Sequence, residues 1–435
     1  MAGVASGEYP PAPHKANTAG AGGRVGHTTV RGDNGHTGVT AILPPGDQWF
    51  RDRVPAAIVV GNGFGKLLGV TQVRELGELE TPILLTCTLC VWRAADAMVD
   101  WLLARPGMEN VRSINAVVGE TNDGGLNDIR SRPVTREHVV AALESAAGGA
   151  VQEGSVGAGA GTVAFGWKGG IGTSSRLLPS DYGGYTVGVL VQSNYGGILT
   201  INGAPVGREL GRVPFRTSAN DMPGEGRADA DAAGSVDGSI MIIVATDAPL
   251  GPDHLERLGR RALFGLARTG ATMSNGSGDY VIAFSTATSV RRSTAESSQQ
   301  VTALSNETLT PLFQAVAEAT EEAVYNSLFR ATTTHGHGGT VEGELLRCPF
   351  HDFRFDTGGA CVSTPYGHAP PSAARLRHSS QEEREAQPVQ VFVRPQPALG
   401  TEAAVDRLRP HLPAPVPPEG WGTSRYFVGA LSVQS

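Results

Sequence analysis

A serine preceded by glycine stands where a polar stretch of the sequence becomes strongly apolar. Gly238 and Ser239 are followed by the run IMIIVA, which predicts a buried β-strand. A serine hydroxyl is a weak nucleophile unless a base lies within hydrogen-bond reach. His138 and His254 both fall on predicted helices, and no G-x-S-x-G motif surrounds Ser239. The pattern therefore argues against a serine activated by a histidine.

A serine at this position can instead carry its own base. If the Gly238–Ser239 peptide bond is cut, Ser239 becomes an N-terminal residue with a free α-amine, whose pKa of about 7.7 to 8.0 suits a general base near neutral pH. Glycine at position 238 eases the distorted backbone that attack on its carbonyl requires. On the residues alone, the same pattern also fits an ordinary loop serine ahead of a strand.

Strands and helices alternate along the chain on both sides of this serine. The periodicity predicts strands at 39–43, 56–61, 185–193 and 280–285, and helices at 90–105, 136–147, 308–331 and from about Asp253 onward. Alternation alone indicates an α/β or α+β fold. Composition predicts a disordered arm over residues 1–24, a structured domain over 25–335, and a different region over 336–435 that ends in a Pro-rich tail.

Composition and charge argue against several classes of partner. The formal net charge is −7 and no Lys/Arg block occurs, so we expect no nucleic acid partner. No apolar run approaches the roughly 20 residues that cross a bilayer, and the N-terminal segment lacks the pattern of a signal peptide. We therefore expect a cytoplasmic protein without a membrane partner. The glycine-rich segment 154–176 does not match a nucleotide loop, because Trp167 stands where the lysine of a P-loop belongs.

Several motifs around Ser239 occur in the order typical of one enzyme family. The motifs read GHTGVTAILPPG, GETNDGGLNDIRSRPVT, GTVAFGWKGGIGTSSR, YTVGVLVQSNYGG, GSIMIIVATDAPL and SNGSGDYVIAFSTA. Over about residues 25–335 the chain resembles the DmpA/BapA family of self-processing aminopeptidases and β-aminopeptidases. The resemblance implies an αββα four-layer sandwich, cut into an α part over 25–238 and a β part that begins at Ser239.

The resemblance also assigns roles to individual residues. It implies that the chain cuts itself between Gly238 and Ser239, and that Ser239 is then the nucleophile. Ser277 and Asp279, in SNGSGD, match the pair that orients the nucleophile and its amine. On the residues alone, these two side chains could equally stabilise a Gly-rich turn.

Three further residues match the family's substrate site. Asn194 matches the side-chain donor of the oxyanion hole, and Glu120 matches the acid that pairs with the free amine of the substrate. Without the resemblance, Asn194 fits a turn residue at a strand end and Glu120 a surface acid. Asn122 stands where some relatives carry a tyrosine near the active site, so we expect a difference in substrate shape or rate.

The function implied is release of N-terminal amino acids from short peptides, amides or esters with a free amino terminus, through an acyl-enzyme on Ser239. The resemblance implies no cofactor, and a homo-oligomer of processed αβ units. Acyl transfer, as in the similarly folded ornithine acetyltransferases, is a rival, but those enzymes generate a threonine nucleophile.

The cysteines raise separate questions. Cys348 and His351 have C-x-x-H spacing and resemble the second half of a Rieske [2Fe-2S] motif, whose first half is missing upstream. The sequence therefore predicts a partial, β-rich Rieske-like fragment over 336–435 without a working cluster. Cys87 and Cys90 could join Cys348 and His351 in a Cys₃His zinc site, but their apolar surroundings favour buried thiols.

Two alternatives to an aminopeptidase stay open at this point. One is a Rieske-type electron-transfer or oxygenase component. The other is an inactive fusion product, in which the C-terminal fragment prevents maturation.

Overall fold

The structure is a computed structural model of the full chain. It describes residues 7–12, 22–32, 35–214, 238–341 and 343, together with the backbone of three short strands between 346 and 363. The chain divides into two units, Met1–Phe350 and His351–Ser435. Among the described residues, no helix is long and apolar enough to cross a membrane.

The first unit contains most of the described secondary structure. Its strands are β1 (Arg24–Arg31), β2 (His36–Leu43), β3 (Asp52–Gly63), β4 (Glu78–Leu79), β5 (Ile83–Cys87), β6 (Val117–Thr121), β7 (Val163–Ala164), β8 (Trp167–Lys168), β9 (Ile171–Leu177), β10 (Thr186–Asn194), β11 (Ser239–Thr246), β12 (Gly278–Ser285), β13 (Arg292–Ser293), β14 (Thr334–Gly336), β15 (Gly339–Val341) and β16 (Leu346–Arg347). Its helices are α1 (Val70–Leu76), α2 (Val91–Leu103), α3 (Arg136–Glu144), α4 (Val206–Glu209), α5 (Pro252–Arg268) and α6 (Thr310–Phe329). In the second unit, β17 (Arg354–Phe355) pairs with β18 (Cys361–Ser363).

Two sheets form the centre of the first unit. The smaller sheet has the strand order β1-β2-β5-β6, and the larger follows β13-β3-β12-β11-β10-β9, with β4 added to β3. Most neighbours are antiparallel, but β5 pairs with β6 and β11 with β12 in parallel. In the larger sheet, the first residues of β11 and β12 therefore lie beside the last residues of β10 and β3, at one end of the strands.

The two sheets pack face to face, and helices cover the outer face of each. In β11, Ile240, Ile242 and Val244 belong to the core that the larger sheet forms with α5 and α6. The intervening Met241 and Ile243 belong to the core between the two sheets. A third core joins the smaller sheet to α2 and α3.

The run IMIIVA is apolar throughout because both faces of β11 are buried. The three cores define an αββα sandwich, which confirms the predicted fold.

The described ends of this unit differ from the predicted boundaries. Within the predicted disordered arm, residues 7–12 are held by the body of the unit: the backbone N–H groups of Glu8 and Tyr9 donate to the Glu318 carboxylate at 3.1 and 3.3 Å. At the other end, the β14–β15 hairpin continues past residue 335, and the His337 N–H donates to the Leu126 carbonyl at 2.9 Å. The first unit thus includes residues that composition had placed outside it.

Candidate active site

Ser239 is the first residue of β11 and is 4% exposed. Its neighbour on β10 is Asn194, and its neighbour on β12 is Gly278. Gly278 lies between Ser277 and Asp279 in the sequence. Strand pairing alone therefore brings Ser239 beside three residues that the motifs predicted for the site, namely Asn194, Ser277 and Asp279.

Ser277 and Asp279 form a buried hydrogen-bonded pair. The Ser277 hydroxyl donates to Asp279 Oδ1 at 2.7 Å. The preceding turn is held by Asn62, whose Nδ2 donates to the carbonyls of Ser274 and Asn275 at 3.0 and 3.1 Å. The end of β3 thus fixes the loop that carries the pair, and the sequence did not predict this contribution.

Burial dominates the electrostatics of Asp279. It raises the pKa of the carboxyl to about 6, against the opposing effects of the Ser277 hydroxyl and the Ile240 N–H. The second oxygen, Oδ2, is buried and accepts no hydrogen bond from the described residues. Asp279 therefore retains an acceptor that a nearby ammonium group would satisfy.

The peptide bond before Ser239 is held in a narrow space. The Gly278 N–H donates to the Gly238 carbonyl oxygen at 3.1 Å. A Cβ atom on residue 238 would lie 2.3 Å from the Asn194 carbonyl oxygen and 2.5 Å from Tyr195 Cα, so only glycine fits. Close approach of the backbones therefore requires Gly238, while the Gly278 N–H polarises its carbonyl.

The Asn194 side chain is engaged at both ends. Its Oδ1 accepts the Val163 N–H and its Nδ2 donates to the Asn122 carbonyl, both at 2.9 Å. Asn122 thus holds Asn194 through its backbone, while its own exposed side chain accepts the Gly124 N–H at 3.1 Å. An amide fixed in this way is preorganised for a single orientation.

Glu120 is a buried residue of β6, in the smaller sheet, and not a surface acid. Its Oε1 accepts the Lys66 N–H at 2.9 Å, and its Oε2 accepts the Thr88 hydroxyl. Burial raises the pKa of the Glu120 carboxyl, while these hydrogen bonds oppose the shift. Hydrogen-bond donors from two separate loops therefore fix the orientation of the Glu120 carboxylate.

Two glycines join the two halves of the site. A Cβ on Gly278 would lie 2.5 Å from Gly65 Cα and 3.3 Å from Ser239 Oγ, and a Cβ on Gly65 would lie 3.0 Å from Glu120 Oε1. Backbone atoms of Gly65 and Gly278 therefore stand between the Ser239 hydroxyl and the Glu120 carboxylate. Gly65 was not predicted from the sequence, where its signal is the loop NGFGK at the end of β3.

The two histidines considered as bases are tied to their helices. The Nδ1 of His138 accepts the Thr135 N–H at 3.1 Å and so caps α3. His254 lies in the first turn of α5 and is buried. Both placements agree with the predicted helices.

Cys87 and Cys90 differ from the prediction in their bonding. Cys87 and Cys90 are buried, as expected, but they form a disulfide and are not free thiols. Their sulfurs are therefore committed to each other, which removes them from the Cys₃His zinc set. Cys348 and His351 lie outside the described residues, among which no group of three or more His, Cys, Asp or Glu side chains could hold a metal ion.

The chain matches a peptidase family over most of its length. The model of peptidase family S58 matches residues 20–342. The β-peptidyl aminopeptidase BapA of Sphingosinicella microcystinivorans is 39% identical over 379 residues, covering 81% of this chain and 93% of that protein.

Two solved structures are similar in fold. A β-aminopeptidase from Burkholderia sp. has a TM-score of 0.70 at 38% identity, covering 79% of this chain and 94% of that one. The l-aminopeptidase d-ala-esterase/amidase of Ochrobactrum anthropi has a TM-score of 0.68 at 33% identity, covering 78% of this chain and 94% of that one. The latter is described as a prototype of the serine aminopeptidases with a variant of the Ntn hydrolase fold.

Fold and site together define a hydrolase of the N-terminal nucleophile class. The chain belongs to peptidase family S58, which confirms the family predicted from its motifs.

A short stretch has a different relative. Over 40 residues the chain is 45% identical to the cholesterol 7-desaturase nvd of Bombyx mori, covering 9% of each protein. The Rieske-like fragment remains a prediction from its sequence.

The contact between Gly65 and Gly278 predicts that one methyl group added at residue 278 lowers peptidase activity sharply. Gly278→Ala places a Cβ against Gly65 Cα and Ser239 Oγ, so we expect at least a hundredfold loss of peptidase activity, measured as kcat/KM. Gly125→Ala is the matched control, since a Cβ there meets nothing within 4 Å. Wild-type activity in Gly278→Ala would show that this contact does not shape the site.

The raised pKa of Asp279 predicts an acid limb near pH 6 in peptidase activity, measured as kcat/KM. Below about pH 6 the carboxyl is protonated and no longer offers a charged acceptor to a nearby ammonium group, so kcat/KM should fall by up to tenfold per pH unit. Asp279→Asn should be slow and lack this limb, whereas the exposed Asp181→Asn should keep it. Activity is measured over pH 4 to 8, and the same limb in Asp279→Asn would assign it to another group.

Proposed function

We propose that this peptidase cuts its own chain between Gly238 and Ser239 and then acts as an aminopeptidase on short peptides, amides or esters. The observation that carries the proposal is the placement of this bond. Ser239 opens a buried strand beside Gly278, whose N–H donates to the carbonyl oxygen of the bond to be cut at 3.1 Å. Nucleophile and polarised carbonyl thus belong to adjacent residues in a preorganised site.

Self-cleavage requires Ser239 Oγ to attack the Gly238 carbonyl carbon. The Gly278 N–H stabilises the oxyanion that forms there. The C–N bond breaks, the amide nitrogen takes up a proton, and an ester links Gly238 to Ser239 Oγ. Water then hydrolyses the ester, which leaves an α chain ending at Gly238 and a β chain that begins with a free amine.

The new N-terminus supplies the base for substrate hydrolysis. The Ser239 amine takes the hydroxyl proton as Oγ attacks the substrate carbonyl, and it returns a proton to the leaving amine or alcohol. Water then hydrolyses the acyl ester on Oγ and releases the N-terminal amino acid. Asp279 Oδ2, which has no partner among the described residues of the uncut chain, holds this amine in its ammonium form. Asn194, fixed between two loops, contributes to the oxyanion site.

Glu120 accounts for the requirement for a free amino terminus. Its carboxylate lies across the two glycines from Ser239, and it is desolvated and held by the Lys66 N–H and the Thr88 hydroxyl. A substrate ammonium there forms a charge-assisted hydrogen bond in a low-dielectric site. The substrate class is therefore a small molecule with a free amine close to the scissile carbonyl.

The first test is the mass of the protein after incubation. We expect two chains divided after Gly238, and an uncut, inactive chain for Ser239→Ala because the attacking oxygen is gone. Ser180→Ala, at an exposed turn, should cleave as the wild type does. Intact mass spectrometry and a denaturing gel report both, and a wild-type chain that stays uncut yet active would contradict the proposal.

The second test concerns Glu120. Glu120→Gln removes the charge but keeps the size, so KM for substrates with a free amine should rise about 10- to 100-fold, the value of one charge-assisted hydrogen bond. Discrimination against N-acetylated substrates should fall with it, while self-cleavage continues. Glu109→Gln, on the surface, is the control. Unchanged KM and discrimination would assign amine recognition to another group.

A further inference from the structure

Thr88, which orients the Glu120 carboxylate, lies inside the ring that a disulfide closes. Thr88, whose hydroxyl donates to Glu120 Oε2, stands between Cys87 and Cys90, which form a disulfide. Cys87 is the last residue of β5, and Cys90 directly precedes α2. The disulfide therefore ties the end of a strand to the start of a helix and encloses the turn that presents the hydroxyl.

Strand pairing brings this ring to the substrate side of the small sheet. In the parallel pair β5 and β6, Thr86 is opposite Glu120 and Cys87 is opposite Thr121. Glu120 thus lies at the strand end where the ring begins. Any change in the path of residues 88–90 moves the Thr88 hydroxyl relative to the carboxylate, because the turn follows at once from β5.

The hydrogen bond from Thr88 matters because Glu120 is buried. A desolvated carboxylate keeps its charge only when donors replace water. In the described structure those donors are the Lys66 N–H and the Thr88 hydroxyl. Loss of the Thr88 hydrogen bond leaves Glu120 Oε2 without a donor. The carboxylate then attracts the substrate ammonium less strongly.

We propose that the Cys87–Cys90 disulfide is a redox-sensitive clamp that holds Thr88 on Glu120 and so sets the affinity for the substrate amine. The inference rests on the proposed function of Glu120. Reduction by a dithiol transfers two electrons and two protons to the pair, giving two cysteine thiols and a cyclic disulfide of the reductant. The opened turn then releases the Thr88 hydroxyl, and KM rises while the Ser239 machinery is untouched.

Burial sets the kinetics of the reductive step. Cys87 is fully buried and Cys90 is 1% exposed, so a dithiol reaches them only when the turn opens. Reduction of the folded enzyme should therefore be slow, and the cysteine variants are the primary test.

The test compares three variants and one control variant of the full chain by KM and kcat on a free-amine substrate. Cys87→Ala/Cys90→Ala and Thr88→Val should each raise KM about 3- to 10-fold, with kcat within twofold and self-cleavage complete. Thr88→Ser should restore the wild-type KM, because it keeps the hydroxyl. Thr86→Val is the matched control, since it also removes a buried hydroxyl, one that donates to the Gly38 carbonyl at 2.9 Å.

A second arm uses dithiothreitol on the wild-type enzyme, with thiols counted by alkylation and mass. Alkylation of Cys87 and Cys90, located by peptide mass, should accompany a rise of KM to that of the double cysteine variant. Dithiothreitol should not change the KM of that variant. Free thiols at Cys87 and Cys90 in enzyme purified without reductant, or unchanged KM in the double cysteine variant or in Thr88→Val, would overturn the clamp. Unchanged KM in Glu120→Gln would overturn the proposed role of Glu120 itself, so the two failures are distinguishable.

Discussion

The parallel pairing of β11 with β12 is the interaction on which the site depends. It places Ser239 opposite Gly278, between the hydrogen-bonded Ser277 and Asp279, and it lets the Gly278 N–H reach the Gly238 carbonyl. The pairing holds because both faces of β11 are buried, against the helices on one side and the smaller sheet on the other. The geometry of the candidate site is thus a consequence of the register of two fully buried strands.

Desolvation is the second constraint, and it acts on both acids of the site. Asp279 and Glu120 lie on different sheets, and burial raises the pKa of each. Their hydrogen bonds come from nearby loops and not from bulk water, so small changes in those loops alter the charge of the site. The glycine contact between Gly65 and Gly278 brings the two acids to one site without an intervening side chain.

Much of this was predictable from local patterns. The predicted strands and helices lie where the structure has them, because apolar periodicity follows burial directly. The αββα layering and the selected residues Ser277, Asp279, Asn194 and Glu120 came from the resemblance of the motifs. In the structure Asn194 ends β10, Asp279 stands at the start of β12 directly after the turn that holds Ser277, and Glu120 lies near the end of β6. The disulfide was missed because the apolar surroundings of Cys87 and Cys90 suit a thiol and a disulfide equally. Residues 7–12 were missed because their anchor, Glu318, is remote in sequence.

The sequence by itself determined the elements, the family and the chemistry available at the Gly238–Ser239 step, since each depends on residue types at short spacing. Only the tertiary structure decided which groups meet: Gly65 against Gly278, Asn122 holding Asn194 through its carbonyl, and Thr88 donating to Glu120. Such contacts join segments far apart in the chain. They arise when distant strands pair and the two sheets pack, and no local pattern records them.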